Sequence, residues 1–347
     1  MRYRSDGSGN MSRWRIMVIG TMAVILLLGL LGIVYLMGSL MDNAEPKEET
    51  LGSIEGRFAP TMTLLHNGRE YDYFENYFTN ILLIGVDKES IDDQGGYRSG
   101  GQADFLMLVS IDRRNRTITP IHIDRDTVTD VKVYSPFGHA AGVNPMQICL
   151  AHSFGASNQV NCENTIWAVQ KLLQGISIDH YLVLDMTGIA ILNDALGGVT
   201  VTLKDDFSHL DPQMTIGTTL RLCGKQAEYF VRGRHEVGDH SNLQRMSRQR
   251  EFLEKLTELL TEKISQSAMF VSELFVELDD HLYTSMDSAW LTNQTYVMEH
   301  YQRREIIDLE GRHGIGEDGF MEFHPDEDKL KRLLIEIFME ESEVGTL

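Results

Sequence analysis

Residues 80–87 read Asn80-Ile81-Leu82-Leu83-Ile84-Gly85-Val86-Asp87, so an apolar run is followed directly by an acidic residue. Its continuous apolar character predicts a strand buried on both faces, because a strand with one exposed face alternates polar and apolar residues. Two similar runs follow at residues 105–109 and 118–123. Together the three runs predict a central sheet covered by helices on both sides.

Helical patterns alternate with shorter strand patterns in the rest of the chain. Strands are predicted at 181–184 and 199–201, and helices at 163–173, 189–196, 241–264 and 326–339. Residues 127–161 carry neither pattern and are predicted to form one long open segment. The predicted fold class is therefore α/β, layered α/β/α around a central mixed sheet, in a single domain at residues 71–345.

An uncharged apolar run occupies residues 16–41. As a helix it would be about 39 Å long, enough to cross a bilayer core of roughly 30 Å. A cleaved signal peptide is the alternative, but the run is longer than a signal-peptide core and no small-residue cleavage site closes it. We therefore predict one transmembrane helix. Arginines precede it and acidic residues follow it, which predicts a cytoplasmic tail at 1–15 and an extracytoplasmic stalk at 42–70.

The composition excludes several classes of protein. The chain has 347 residues, of which 31 are basic and 51 acidic, giving a net charge of −20. With 42% hydrophobic residues it is neither disordered nor collagen-like. The acidity argues against a nucleic-acid partner, because the overall field repels a polyanion. Two interpretations of the cysteines stay open: a Cys149–Cys162 disulfide with Cys223 unpaired, or three buried free thiols.

Acidic residues collect at the ends of the apolar strands. Asp87 follows the first strand, Asp104 precedes the second, and Asp124 and Asp126 close the third around Arg125. Strand ends are where ligands collect in an open sheet. Each aspartate alone is a common turn or cap residue, but the group as a whole favours a site for a hard cation such as Mg²⁺.

A second cluster is basic. It contains Arg232, Arg234, Arg245, Arg248 and Arg250. Helical spacing places Arg245 and Gln249 on one face, with Gln249 inside the apolar stripe of Met246, Leu253, Leu256 and Leu260, so its amide is predicted to point inward. Arginine suits bidentate phosphate binding, although a solvated helix face is the alternative.

Metal-binding carboxylates together with arginines are typical of phosphoryl transfer, in which both neutralise phosphate oxygens. The sequence lacks the GxxxxGK[ST] loop of P-loop enzymes and the GxSxG elbow of serine hydrolases. A phosphotransferase that does not use a nucleotide-binding loop is therefore predicted.

Five motifs, in this order, resemble those of the LytR-CpsA-Psr family. They are residues 80–87, Gln102-Ala103-Asp104, Ile123-Asp124-Arg125-Asp126-Thr127, residues 192–199, and Arg232-Gly233-Arg234 with 245–250, which together give a motif core at 80–265. The resemblance implies a membrane-anchored extracytoplasmic phosphotransferase. Such an enzyme moves a glycopolymer phosphate from a polyprenyl pyrophosphate carrier to peptidoglycan in Gram-positive cell walls, and a pyrophosphatase side activity is implied with it.

The resemblance also implies roles for individual residues. Asp87 and Asp104 are expected to hold Mg²⁺, and Arg125, Asp126 and Asp104 to be catalytic. The pyrophosphate is expected to contact Arg98, Arg125, Arg232, Arg234, Arg245 and Gln249. Either Asp126 or Asp124 is expected to be the general base, and the sequence does not rank them.

Three positions depart from the family pattern. Asp124 stands where the family has a proline, Gln102 where it has an arginine (with Arg98 as a substitute), and Asn242 where it often has an aspartate. These departures motivate an alternative, a non-catalytic wall-assembly scaffold that binds lipid pyrophosphates. A membrane-bound transcriptional regulator is a further alternative, but no helix-turn-helix accompanies the N-terminal arginines.

Overall fold

The computed structural model describes residues 59–91, 100–233, 237–238, 242–266, 270–286 and 301–342. The predicted tail at 1–15 and transmembrane helix at 16–41 lie outside these residues, as do Arg98 and Arg234. Within the part of the chain that is described, no helix is both long enough and apolar enough to cross a bilayer. Residues 62–66, which fall inside the predicted stalk, form a strand, so the folded part begins before residue 71.

The elements alternate between strands and helices along the chain. The N-terminal half contains β1 (Met62–His66), β2 (Arg69–Tyr73), β3 (Phe78–Val86), β4 (Ala103–Asp112), β5 (Thr117–Ile123), β6 (Val128–Tyr134), β7 (Ala140–Gln147) and α1 (Asn158–Leu172). The middle contains β8 (His180–Asp185), α2 (Met186–Ala195), β9 (Thr200–Thr202), β10 (Thr219–Arg221), α3 (Lys225–Arg232), α4 (Asn242–Gln266), α5 (Phe270–Leu278) and β11 (Leu282–Thr284). The C-terminal part contains β12 (Gln302–Arg303), β13 (Ile307–Asp308), β14 (Gly311–Ile315), β15 (Met321–Pro325), α6 (Glu327–Phe338) and β16 (Met339–Glu341).

The chain divides into two compact units. The first unit contains Ile84–Asp93 and Tyr181–Tyr301, and the second contains Gln94–His180, Gln302–Leu347 and the described residues up to Leu83. The predicted strands and helices are confirmed in both units, with shifts of a few residues at their ends.

The second unit holds the core of the central sheet. β4 pairs antiparallel with β5, placing Leu106 opposite Ile123, whereas β12 and β13 add to β5 in the parallel direction. The sheet is therefore mixed, as predicted. Every residue of β3 is buried, as its continuous apolar sequence predicts for a strand covered on both faces.

The prediction of an open segment at 127–161 is wrong. β6 and β7 form an antiparallel hairpin there, and α1 begins at Asn158. β7 is mostly exposed and contains alanine, glycine and proline, so it lacks the apolar alternation that marks a half-buried strand. Two further pieces complete this unit: the β14–β15 hairpin and a three-stranded sheet in the order β1–β2–β16.

The first unit packs helices around β8, which pairs antiparallel with β11. The Asp185 side chain caps α2 by accepting a hydrogen bond from the Gly188 N–H at 2.8 Å. α2 ends before Gly197 and Gly198, which both adopt φ +90°. The apolar stripe predicted for α4 is buried, namely Met246, Leu253, Leu256 and Leu260.

Candidate active site

Arg125 lies in the second unit, between the end of β5 and the start of β6. Its guanidinium contacts the Asp104 carboxylate and the Gln102 amide oxygen, and one Nη lies 3.2 Å from the Cys149 sulfur. Its Nε lies 3.4 Å from the Asp126 carboxylate. The structure therefore brings together Arg125, Asp104 and Asp126, the three residues predicted to be catalytic.

The surroundings of Arg125 keep it charged. Burial lowers the pKa of the guanidinium, but the neighbouring Cys149, Asp104 and Asp126 raise it, and the net direction is upward. Gln102, which stands at a family arginine position, accepts a hydrogen bond from Arg125. Gln102 therefore helps to hold the Arg125 side chain in place.

Cys149 and Cys162 are buried free thiols, so the disulfide interpretation is wrong. The alternative of three buried thiols holds for these two residues, whereas Cys223 is exposed. Burial raises the pKa of Cys149 to about 11 against the opposing effect of Arg125, so its sulfur is a neutral neighbour at physiological pH.

Asp124 is buried, and both of its carboxylate oxygens are engaged. Oδ1 accepts the Asp126 backbone N–H at 2.8 Å, and Oδ2 lies 2.7 Å from Nε2 of His313 on β14. His313 lies far along the chain in a segment without a recognisable motif, so no local sequence signal identifies it. Only the structure brings it to the end of β5.

The first unit carries Asp87 and Arg232. One guanidinium nitrogen of Arg232 contacts the Asp87 carboxylate, and the other lies 3.3 Å from Glu228. Both Arg232 and Asp87 are partly exposed and therefore accessible to a ligand.

Arg245 and Gln249 are both buried on α4, and the Gln249 amide points inward as predicted. Arg245 is buried and donates to the Asn242 side-chain oxygen. The Gln249 amide donates to the Val231 carbonyl at 3.3 Å, and its buried Oε1 has no hydrogen-bond partner among the described residues. A buried amide oxygen without a partner can accept a hydrogen bond from a polar ligand.

Arg248 has a structural role. Its guanidinium pairs with Asp205 at 2.9 Å and donates to the carbonyls of Phe230 and Gly233, which flank Arg232. Arg248 therefore fixes the end of α3, where Arg232 is located.

The two aspartates predicted to bind Mg²⁺ lie in different units, and an arginine contacts each of them. Among the described residues, no three His, Cys, Asp or Glu side chains form a group that suits a metal ion. The donor chemistry nevertheless fits, because carboxylate oxygens are the ligands that Mg²⁺ prefers. The magnesium site stays a prediction.

Residues 63–337 match the model of the LytR_cpsA_psr family. The chain belongs to this family. The match covers every motif on which the resemblance was based and extends into the C-terminal hairpin that carries His313. The LytR_cpsA_psr region therefore includes β14 and β15 as well as the motif core.

Curated relatives match about half of this chain. Polyisoprenyl-teichoic acid–peptidoglycan teichoic acid transferase TagU of Halalkalibacterium halodurans is 31% identical over 56% of this chain and 54% of its own length. Biofilm regulatory protein A of Streptococcus mutans is 29% identical over 51% of this chain and 43% of its own. The chain spans about half the length of these curated relatives.

A solved structure has the same fold as the LytR_cpsA_psr region. Protein gbs0355 from Streptococcus agalactiae superposes with a TM-score of 0.61 at 22% identity. The match covers 78% of this chain and 91% of that protein. The similarity confirms the fold.

Proposed function

We propose that this protein is a transferase that moves a glycopolymer phosphate from a polyprenyl pyrophosphate carrier to peptidoglycan. The observation that carries the proposal is the buried, charged Arg125, fixed at the end of a central strand by Asp104, Gln102 and Asp126. A guanidinium held in this way can stabilise the negative charge that develops on phosphate oxygens during transfer. The similarity to TagU, a polyisoprenyl-teichoic acid–peptidoglycan teichoic acid transferase, supports the same substrate class.

In the proposed reaction, an acceptor hydroxyl oxygen attacks the phosphorus that carries the glycopolymer. The new P–O bond forms as the bridging P–O bond of the pyrophosphate breaks, and the electron pair leaves with the lipid phosphate. Arg125 stabilises the charge on the transferred group, and Arg232, Arg245 and Gln249 bind the remaining phosphate oxygens. Arg98 and Arg234 are proposed to join them.

We propose Mg²⁺ as the cofactor, with Asp87 and Asp104 as its carboxylate ligands. When bound, Mg²⁺ would neutralise negative charge on the pyrophosphate. Water in place of the acceptor hydroxyl would give the proposed pyrophosphatase side activity. The single predicted transmembrane helix would keep the domain outside the membrane of a Gram-positive cell, beside its lipid-linked substrate and its peptidoglycan acceptor.

The test is transfer by the full-length protein in detergent micelles, with a short polyprenyl-pyrophosphoryl glycan as donor and a peptidoglycan oligomer as acceptor. Arg125→Lys keeps the charge but loses the fork that holds Asp104 and Gln102, so we expect transfer to fall about 10²–10³-fold. Arg304→Lys is the matched control, because Arg304 is partly exposed and paired with Glu336. Equal transfer by both variants would contradict the proposal.

A second candidate is a scaffold that binds the lipid pyrophosphate without turnover. Asp104, Gln102 and Asp126 already contact the Arg125 guanidinium within the protein. This observation favours the scaffold, because those contacts occupy nitrogens that would otherwise bind the transferred phosphate. The same assay separates the two candidates, because a scaffold would retain the donor lipid and release no product.

A further inference from the structure

We propose that Asp124 and His313 form a catalytic dyad for the transfer reaction, in which His313 takes the proton of the acceptor hydroxyl and Asp124 orients its ring. This inference rests on the proposed function. It assigns a general base that the sequence left open between Asp124 and Asp126.

Neither aspartate is free to act as the base itself. Both carboxylate oxygens of Asp124 are engaged, one by the Asp126 N–H at 2.8 Å and the other by His313 Nε2 at 2.7 Å. Asp126 is buried beside Arg125, at 3.4 Å from its Nε. A base must reach the acceptor proton, and both carboxylates are buried, with the Asp124 side chain 4% and the Asp126 side chain 1% exposed.

His313 has the geometry of a base oriented by a carboxylate. An ionised carboxylate only accepts hydrogen bonds, so a neutral imidazole in this pair carries its proton on Nε2, facing Asp124, and its lone pair on Nδ1. Nδ1 makes no hydrogen bond to any described residue, and the side chain is 24% exposed. The imidazole thus has one nitrogen held by a buried aspartate and one open to a ligand, as in other carboxylate–histidine pairs that act as bases.

The hairpin that carries His313 is fastened to the Arg125 segment by contacts independent of the dyad. Phe323 on β15 lies opposite His313, with ring centroids 4.7 Å apart, and donates its backbone N–H to the Asp126 carbonyl at 2.8 Å. The Gln147 amide donates to the Met321 carbonyl at 2.6 Å. These contacts fix the position of the imidazole relative to the residues on either side of Arg125.

Other charged groups lie near His313 on the two strands of its hairpin. Arg312 is its neighbour on β14, and Glu322 and His324 flank Phe323 on β15. Glu322 and His324 pair with each other at 2.9 Å. Asp124 is therefore the carboxylate that His313 itself contacts.

In the proposed step, the acceptor oxygen forms a bond to phosphorus while its proton moves to Nδ1 of His313. The bridging P–O bond breaks, and its electron pair leaves with the lipid phosphate. The resulting imidazolium is stabilised by Asp124 and returns its proton to the solvent or to the leaving phosphate. No oxidant, reductant or further reactant is needed.

The test compares transfer by wild type, His313→Ala, His313→Gln and the control His324→Ala in the full-length protein. His324 is on the same hairpin, its ring is 54% exposed, and it bonds to Glu322. We expect both His313 variants to lose transfer about 10²–10⁴-fold, the range for loss of a general base, and His324→Ala to match wild type. Added imidazole should restore part of the transfer to His313→Ala only.

His313→Gln separates catalysis from positioning, because its amide N–H can still donate to Asp124 but offers no basic nitrogen. The dyad is supported if His313→Gln loses transfer and its remaining rate no longer falls as the pH is lowered. Transfer by His313→Gln at the wild-type rate overturns it, as does absence of imidazole rescue in a folded His313→Ala. If His313→Ala fails to fold, the Gln variant decides. If wild type itself gives no transfer, the proposed function fails instead.

Discussion

The buried ion pair between Arg248 and Asp205 predicts a large and local loss of stability when it is broken. The two side chains are 8% and 7% exposed and lie 2.9 Å apart. The same guanidinium also donates to the carbonyls of Phe230 and Gly233. Arg248→Ala would leave the Asp205 charge buried without this partner, and removing one partner of a buried pair typically costs about 3–5 kcal/mol.

The assay is urea unfolding of the full-length protein, followed by circular dichroism. At a slope of about 3 kcal/mol per molar urea, a loss of about 4 kcal/mol lowers the urea midpoint of unfolding by about 1 M. Lys204→Ala is the matched control, because Lys204 pairs with Glu251 at 3.1 Å but is 75% exposed. An exposed pair contributes at most about 1 kcal/mol.

The double variant Arg248→Met with Asp205→Leu tests the physical reason. Replacing both charges by apolar side chains removes the unpaired charge, so most of the lost stability should return. A midpoint shift by Arg248→Ala no larger than that by Lys204→Ala would show that the buried pair contributes no more than the exposed one.

Three further predictions concern a glycine pair, a buried amide and a buried thiol. Gly197→Ala and Gly198→Ala both force alanine into φ +90°. Only at Gly198 would the new Cβ also meet a backbone carbonyl, at 2.5 Å. Gly198→Ala should therefore lower the thermal midpoint of unfolding more than Gly197→Ala does. Gln249→Met removes a buried oxygen that has no partner among the described residues, but it also removes the donor to the Val231 carbonyl, so stability in urea should change by less than about 1 kcal/mol while retention of the donor lipid weakens. Burial raises the pKa of Cys149 from 9.0 to about 11, so the unfolded thiol ionises first. Wild type should therefore lose about 2 kcal/mol of stability relative to Cys149→Ala as the pH rises from 9 to 11, measured as the difference in urea midpoints.

The sequence predicted the elements whose signal is local. β3 is apolar at nearly every position, and α4 repeats its apolar residues at helical spacing, so burial alone specifies both. The inward amide of Gln249 followed from the same spacing. The motif that contains Arg125 identified the residue around which Asp104, Gln102 and Asp126 gather.

The features that were missed depend on pairing between distant residues. The strand β7 is exposed and contains few strand-forming residues, so it is stabilised by its partner β6 rather than by its own pattern. His313 is one of 12 histidines in the chain, and nothing in its neighbouring sequence distinguishes it. Arg248 looked like its neighbouring arginines, because a sequence does not show which guanidinium meets a buried carboxylate.

The late position of the last strand of the second unit also determines how early during synthesis the candidate site can be completed. β16 pairs with β2, with Glu341 opposite Tyr71, and His313 meets Asp124 across 189 residues of chain. A chain made from its N-terminus has all five motifs before either contact can form. Pairings this distant are slow to form, and until then β2 lacks one of its two neighbours. The order of synthesis thus delays completion of the candidate site until nearly the whole described chain is available.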